Sequence, residues 1–157
     1  RIERNTIEVR VLDVQECPAA DLAVVCALTP VLRGLCDEKW TGHAEQRRWP
    51  TEALHEILVN AIRYGERAPI ENAEYAAAFG IEAGTTAGEL WRKLVHDSAA
   101  YRAGTAPEVE AALETILERG SLATRILKSV NGELTRAGVA KVYGRLCDCL
   151  AQGTMFH

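Results

Sequence analysis

The stretch Thr6-Ile7-Glu8-Val9-Arg10-Val11-Leu12-Asp13-Val14 sets the reading of this chain. Ile7, Val9 and Val11 fall on one side of an extended backbone; Glu8, Arg10 and Leu12 fall on the other. Successive side chains of a strand point to opposite faces, so the alternation predicts a half-buried β-strand over 6–14. Gln15-Glu16-Cys17-Pro18 reads as a turn, and Pro18 suits the first turn of a helix.

Everything after that strand reads as helical. A helix is expected over 19–39, with Leu22, Val25, Cys26, Thr29, Leu32, Arg33 and Cys36 recurring at helical spacing. Pro30 inside it removes a backbone donor and predicts a kink or a split. The polar run 41–48 reads as a loop. Pro50 opens a second helix with Leu54, Ile57, Leu58, Ala61 and Ile62 as its inner stripe, stopped by Gly65. A short helix is expected over 71–79. Thr86-x-x-Glu89 has the form of a capping box, predicting a helix over 87–102. Further helices are expected from Pro107 to Arg119, from Ser121 to Val130 and from Arg136 to Ala151, with a frayed tail to His157. One strand cannot make a sheet. A weak strand around Ala68 to Ile70 could supply a neighbour, or another segment or chain could. The sequence also opens at Arg1, not at Met. The expectation is a single domain over 1–157, mostly α with one or a few strands, forming the C-terminal part of a larger protein.

Composition limits the function classes. Apolar residues make up 48% and charged residues 25% of 157, a globular balance. The net charge of −4 argues against a general nucleic-acid binder. No run of roughly 18 apolar residues stands out, so no membrane span is expected. Cys17, Cys26, Cys36, Cys147 and Cys149 are odd in number and lack C-x-x-C spacing, which fits reduced thiols in the cytoplasm. His43, His55, His96 and His157 are scattered, and Trp40, Trp49 and Trp91 read as anchors between helices.

The chemistry lies on the strand. Glu8 and Arg10 are two apart and project from one face, about 7 Å from each other. A carboxylate can bind a hard cation, and a guanidinium can grip a phosphate through two parallel hydrogen bonds. Spacing alone also fits a solvated strand face. Arg63, in the last turn of its helix and ahead of the C-cap Gly65, is first of all a residue that the helix dipole favours there.

Thr6-Ile7-Glu8-Val9-Arg10-Val11-Leu12-Asp13, followed by Pro18 and a helix, resembles the E-V-R-x-x-D strand of the glutamate–cysteine ligase superfamily. The bacterial carboxylate–amine ligase branch, also called the family-two glutamate–cysteine ligases, is the most similar. Arg63-Tyr64-Gly65 resembles an R-Y-G element of that branch, and the order of segments through Gly120-Ser121-Leu122 to the final helix is similar. The resemblance implies an α+β, glutamine-synthetase-like ligase fold, of which this chain would be the C-terminal helical part. It implies ATP and Mg²⁺ as cofactors. Glutamate and an amine acceptor, with cysteine foremost, would be substrates. Carried over by position, Glu8 would be a magnesium ligand, Arg10 would contact the transferred phosphoryl group, and Arg63 would join Arg10 in cofactor binding. The family's E-x-E metal strand is not in this sequence, and Leu58 and Val59 stand where the branch has an Arg and an aromatic residue. The magnesium site would therefore need an N-terminal sheet segment or a partner chain, and this chain alone should be inactive.

Two other readings compete. A non-catalytic helical interaction or regulatory module would leave Glu8 and Arg10 as a surface pair with an apolar patch elsewhere. A helix-turn-helix binder over 121–146 is opposed by its dispersed basic residues and the acidic chain. Self-association through an exposed strand edge is a further expectation.

Overall fold

The computed structural model describes residues 6–132 and 134–157. Among them the chain is mostly helical: α1 Pro18–Cys36, α2 His43–Arg48, α3 Thr51–Tyr64, α4 Ala73–Ala78, α5 Ala87–Asp97, α6 Pro107–Arg119, α7 Leu122–Val130 and α8 Arg136–Gln152, with 3₁₀ turns at Gly65–Arg67 and Ala99–Arg102.

Local sequence explains most of the boundaries. Thr86 and Glu89 form the expected capping box at the start of α5, each side chain bonding the other's backbone amide. Ser121 caps α7 by accepting from the Thr124 amide, and Thr135 caps α8 from the Gly138 amide. α5 stops at Asp97, short of the expected Arg102, because the last turn tightens to a 3₁₀ turn. The run 41–48, expected as a loop, contains the short helix α2.

α1 lies along α6 and is the central element. Its buried side is Ala20, Ala23, Ala27, Val31 and Gly34, not the larger residues expected there. Leu22 and Val25 are exposed instead. Small residues let the two helix backbones approach closely, and that packing outweighs the burial of bulkier side chains on the other face. Pro30 is buried inside α1, which remains one helix from 18 to 36. By length and composition α1 is also apolar enough to cross a membrane, a property the sequence reading did not credit. Here its small-residue side joins Val95, Val109, Ala112 and Leu113 in one core cluster.

A second cluster gathers Val31, Ile70, Ala76, Phe79, Leu90 and Leu94. Trp40 and Tyr75 stack on Phe79, at 6.2 and 5.2 Å between ring centroids. The Trp40 ring also lies against Gly34, and a Cβ there would come within 2.5 Å of the indole. Gly34→Ala is therefore expected to cost about 1–3 kcal/mol through overpacking, read as a lower melting temperature; an unchanged value would contradict this contact.

The predicted strand over 6–14 is not formed. Among the described residues nothing pairs with Ile7 to Val14 as a strand neighbour, and the segment carries no regular structure. A strand needs a partner to satisfy its backbone. The weak strand suspected at 68–70 does pair, but with 84–87: Ile70 donates to the Thr85 carbonyl at 2.9 Å and Ala87 to that of Ala68 at 2.8 Å. α3 also differs from expectation. It has no fully buried residue, and Leu54, Leu58 and Ile62 form an exposed ridge while Ile57 turns toward the second core cluster. The C-terminal tail is not frayed: Phe156 is 1% exposed and packs with Val130 and Val142.

Candidate functional site

Glu8 and Arg10 meet each other. An Arg10 nitrogen donates to the Glu8 carboxylate at 2.9 Å, and both side chains are largely exposed. This is the surface pair that the interaction-module reading expects. Such a pair contributes little to stability, because water screens it and both chains lose rotamer freedom. The charges therefore remain accessible to a ligand. Beside them, Val11 and Leu12 border a cleft of about 420 Å³. Val24 and Leu28 of α1, Trp91 of α5 and Ile116 of α6 form its apolar walls. Trp91, expected as an anchor between helices, is 37% exposed on that wall.

Gly65, Glu66 and Ser121 line the same cleft. The fold thus brings the Arg63-Tyr64-Gly65 element and the Gly120-Ser121-Leu122 element to one place. Glu66 joins them: its carboxylate accepts from the Thr124 hydroxyl at 3.1 Å, the Ser121 hydroxyl at 3.3 Å and the Ser121 amide at 3.4 Å. Burial pushes the Glu66 carboxyl up, but these donors and its own backbone amide hold it below the usual carboxylate range. A helix N-terminus favours this negative charge. Gly120 has φ +95°, and a Cβ there would meet a Glu66 oxygen at 2.6 Å, so only glycine admits the carboxylate. Arg63 itself is exposed and lies over its own neighbour Tyr64, 6.0 Å from the ring centroid.

Sequence reasoning missed Glu66, and it also missed the pairing of Glu16 with Arg125. Their side chains are 0% and 3% exposed and form a two-pronged ion pair. Arg125 also donates to the Phe156 carbonyl at 2.7 Å and the Gly120 carbonyl at 3.2 Å, while the Phe156 amide donates to Glu16 at 3.3 Å. No local pattern announces a pair so distant in sequence. Burial pushes the Glu16 carboxyl up, yet the Arg125 hydrogen bonds and charge and the Phe156 amide bring it below its ordinary value. A carboxyl depressed in the folded state stabilises fully above its unfolded value and loses that contribution as pH falls through the folded value. Glu66 and Asp97 are shifted in the same direction. Urea midpoints are therefore expected to fall from about pH 5 downward, and Glu16→Gln to flatten that slope; a pH-independent midpoint between pH 6 and pH 3 would contradict it.

The cofactor fit is partial. Arg10 is the right type of group for a phosphoryl oxygen. Among the described residues no group of three His, Cys, Asp or Glu side chains could hold a metal ion. Mg²⁺ takes six oxygens, so Glu8 is at most one ligand and these residues do not make a magnesium cage. All five thiols are free.

Comparison with protein-family models, curated proteins and solved structures gives no match for this chain.

Proposed function

We propose that this chain is part of an ATP-dependent carboxylate–amine ligase of the glutamate–cysteine ligase type, acting in the cytoplasm. The observation that carries the reading is the segment 6–14. It holds Glu8 and Arg10 in solvent, and on the opposite face of an extended backbone Ile7 and Val11 are uncovered, each at least 65% exposed. Apolar side chains at strand spacing belong against a sheet. In the proposal, a neighbouring sheet from an N-terminal segment or a partner chain covers them and completes the α+β arrangement. Glu8 then supplies one magnesium ligand, and the remaining oxygens come from phosphates and the sheet.

The reaction transfers the γ-phosphoryl of ATP to the side-chain carboxylate of glutamate, releasing ADP. The acceptor amine, cysteine foremost, attacks the acyl carbon and inorganic phosphate leaves. This chemistry is mainly positioning and charge stabilisation. Arg10 meets the charge on the transferred phosphoryl group, and Arg63 is a second candidate for the nucleotide.

The test is phosphate release by the native protein that carries this chain, supplied with ATP, magnesium, glutamate and cysteine or another amine. Release that requires both glutamate and amine, with a new amide in the product, is expected. The 157-residue chain alone should release none. Absence of amine-dependent release from the native protein sinks the reading, and turnover by the chain alone sinks the requirement for added sheet.

The Leu54, Leu58 and Ile62 ridge favours a second reading, a non-catalytic interaction module, in which α3 docks on another protein.

A further inference from the structure

Three distant parts of the chain converge where the segment 6–14 leaves the helices. Gln15 donates its amide to Asp21 at 2.9 Å, and Cys17 is fully buried with its sulfur 3.8 Å from that of Met155. Between them Glu16 is locked to Arg125 of α7 and to the Phe156 backbone. Arg145 of α8 lies over the Phe156 ring, 4.8 Å from its centroid, and donates to the His157 carbonyl at 2.8 Å. Ordinary apolar packing would suffice to bury a turn. A buried, fully hydrogen-bonded ion pair is a costly fastener, and its distinctive property is direction.

Direction matters here because of strand register. Glu16 stands six residues after Arg10 and eight after Glu8. A slip of one residue turns every side chain of a strand to the opposite face. Holding Glu16 anchors the chain six residues from Arg10, which limits the faces that Glu8 and Arg10 can present when the segment joins a sheet.

We infer that Glu16, Arg125 and Phe156 are positioning residues: they set the register and exit direction of the segment that carries Glu8 and Arg10. This inference rests on the ligase reading for the sheet that the segment joins and for its kinetic consequence. The knot touches no substrate, so its effect falls on placement. A misplacement of about 1 Å costs about a hundredfold in rate.

The test uses the native protein with Glu16→Met/Arg125→Met, a pair of apolar replacements of similar length that often spares stability. The expected result is retained helicity, a kcat about a hundredfold lower and a KM for ATP changed less than about threefold. Arg125→Lys keeps the charge without the fork, and is expected to lose about tenfold; it serves if the double variant does not fold. Hydrogen exchange provides a readout that does not depend on activity. Amides 7–13 should be protected in the native protein and exchange faster in the variant, with α5 and α6 unchanged. A folded variant with native kcat overturns the inference. So does equal exchange of 7–13 in the two proteins, whatever the activity. If the native protein shows no amine-dependent turnover but the exchange difference is found, the ligase reading fails and the positioning role stands.

Discussion

Arg10→Ala in the native protein is expected to lower amine-dependent ligation by about 10²–10³-fold, the usual loss when one donor to a developing charge is removed. Glu8→Gln should act in the same direction, because a neutral amide is a poor ligand for a hard cation. The structure makes this a clean experiment. Both side chains are exposed and bonded chiefly to each other, so their loss should change folding stability by less than about 1 kcal/mol. Activity and stability are thereby separated: the variants should melt with the wild type yet turn over slowly. Wild-type rates in either variant would remove Glu8 and Arg10 from the site. A large fall in melting temperature would show that the segment is more tightly integrated than its exposure indicates.

The opposite profile is expected at Arg125. Arg125→Ala leaves the Glu16 carboxylate buried with its guanidinium partner gone, and strips donors from the Phe156 and Gly120 carbonyls. Breaking a buried pair from one side costs about 3–5 kcal/mol, because the remaining charge has no water to turn to. For a chain of this size each kcal/mol lowers the melting temperature by about 2–4 °C, so a fall of about 10 °C is expected. Thermal unfolding followed by circular dichroism reads it directly. A change under about 1 kcal/mol would mean that water or another group reaches Glu16, and the knot would lose its claim to rigidity. The two pairs thus differ in kind: Glu8–Arg10 is left open and Glu16–Arg125 is closed.

The elements that local sequence encodes were legible. The Thr86–Glu89 capping box, the stop of α3 at Gly65 and of α6 at Gly120, and the Pro107 start all depend on residues within one turn of each other. Which helix face is buried was less legible. On α1 the sequence offers both a small-residue stripe and a large-residue stripe, and hydrophobicity alone favours the wrong one. On α3 the ridge of Leu54, Leu58 and Ile62 has the spacing of a core stripe, but among the described residues it is left exposed.

The candidate site divides in the same way. Glu8 and Arg10 were singled out by the period-two spacing of a strand that is not formed, and they meet as a surface pair. Glu66 was missed, since its partners Ser121 and Thr124 lie more than fifty residues away. Tyr64 and Arg63 flank it without sharing its bonds.

The sequence by itself determined a mostly helical chain, the places where most helices start and stop, and a charged, alternating segment ahead of them. Those properties follow from backbone propensity, capping and side-chain alternation, all of which act over a few residues. Only the tertiary structure decided that this segment finds no strand partner among the described residues, that Phe156 is buried, and that Glu16 meets Arg125 across 109 residues of chain. Burial and ion pairing depend on which surfaces meet when the chain closes on itself, and no local pattern carries that information.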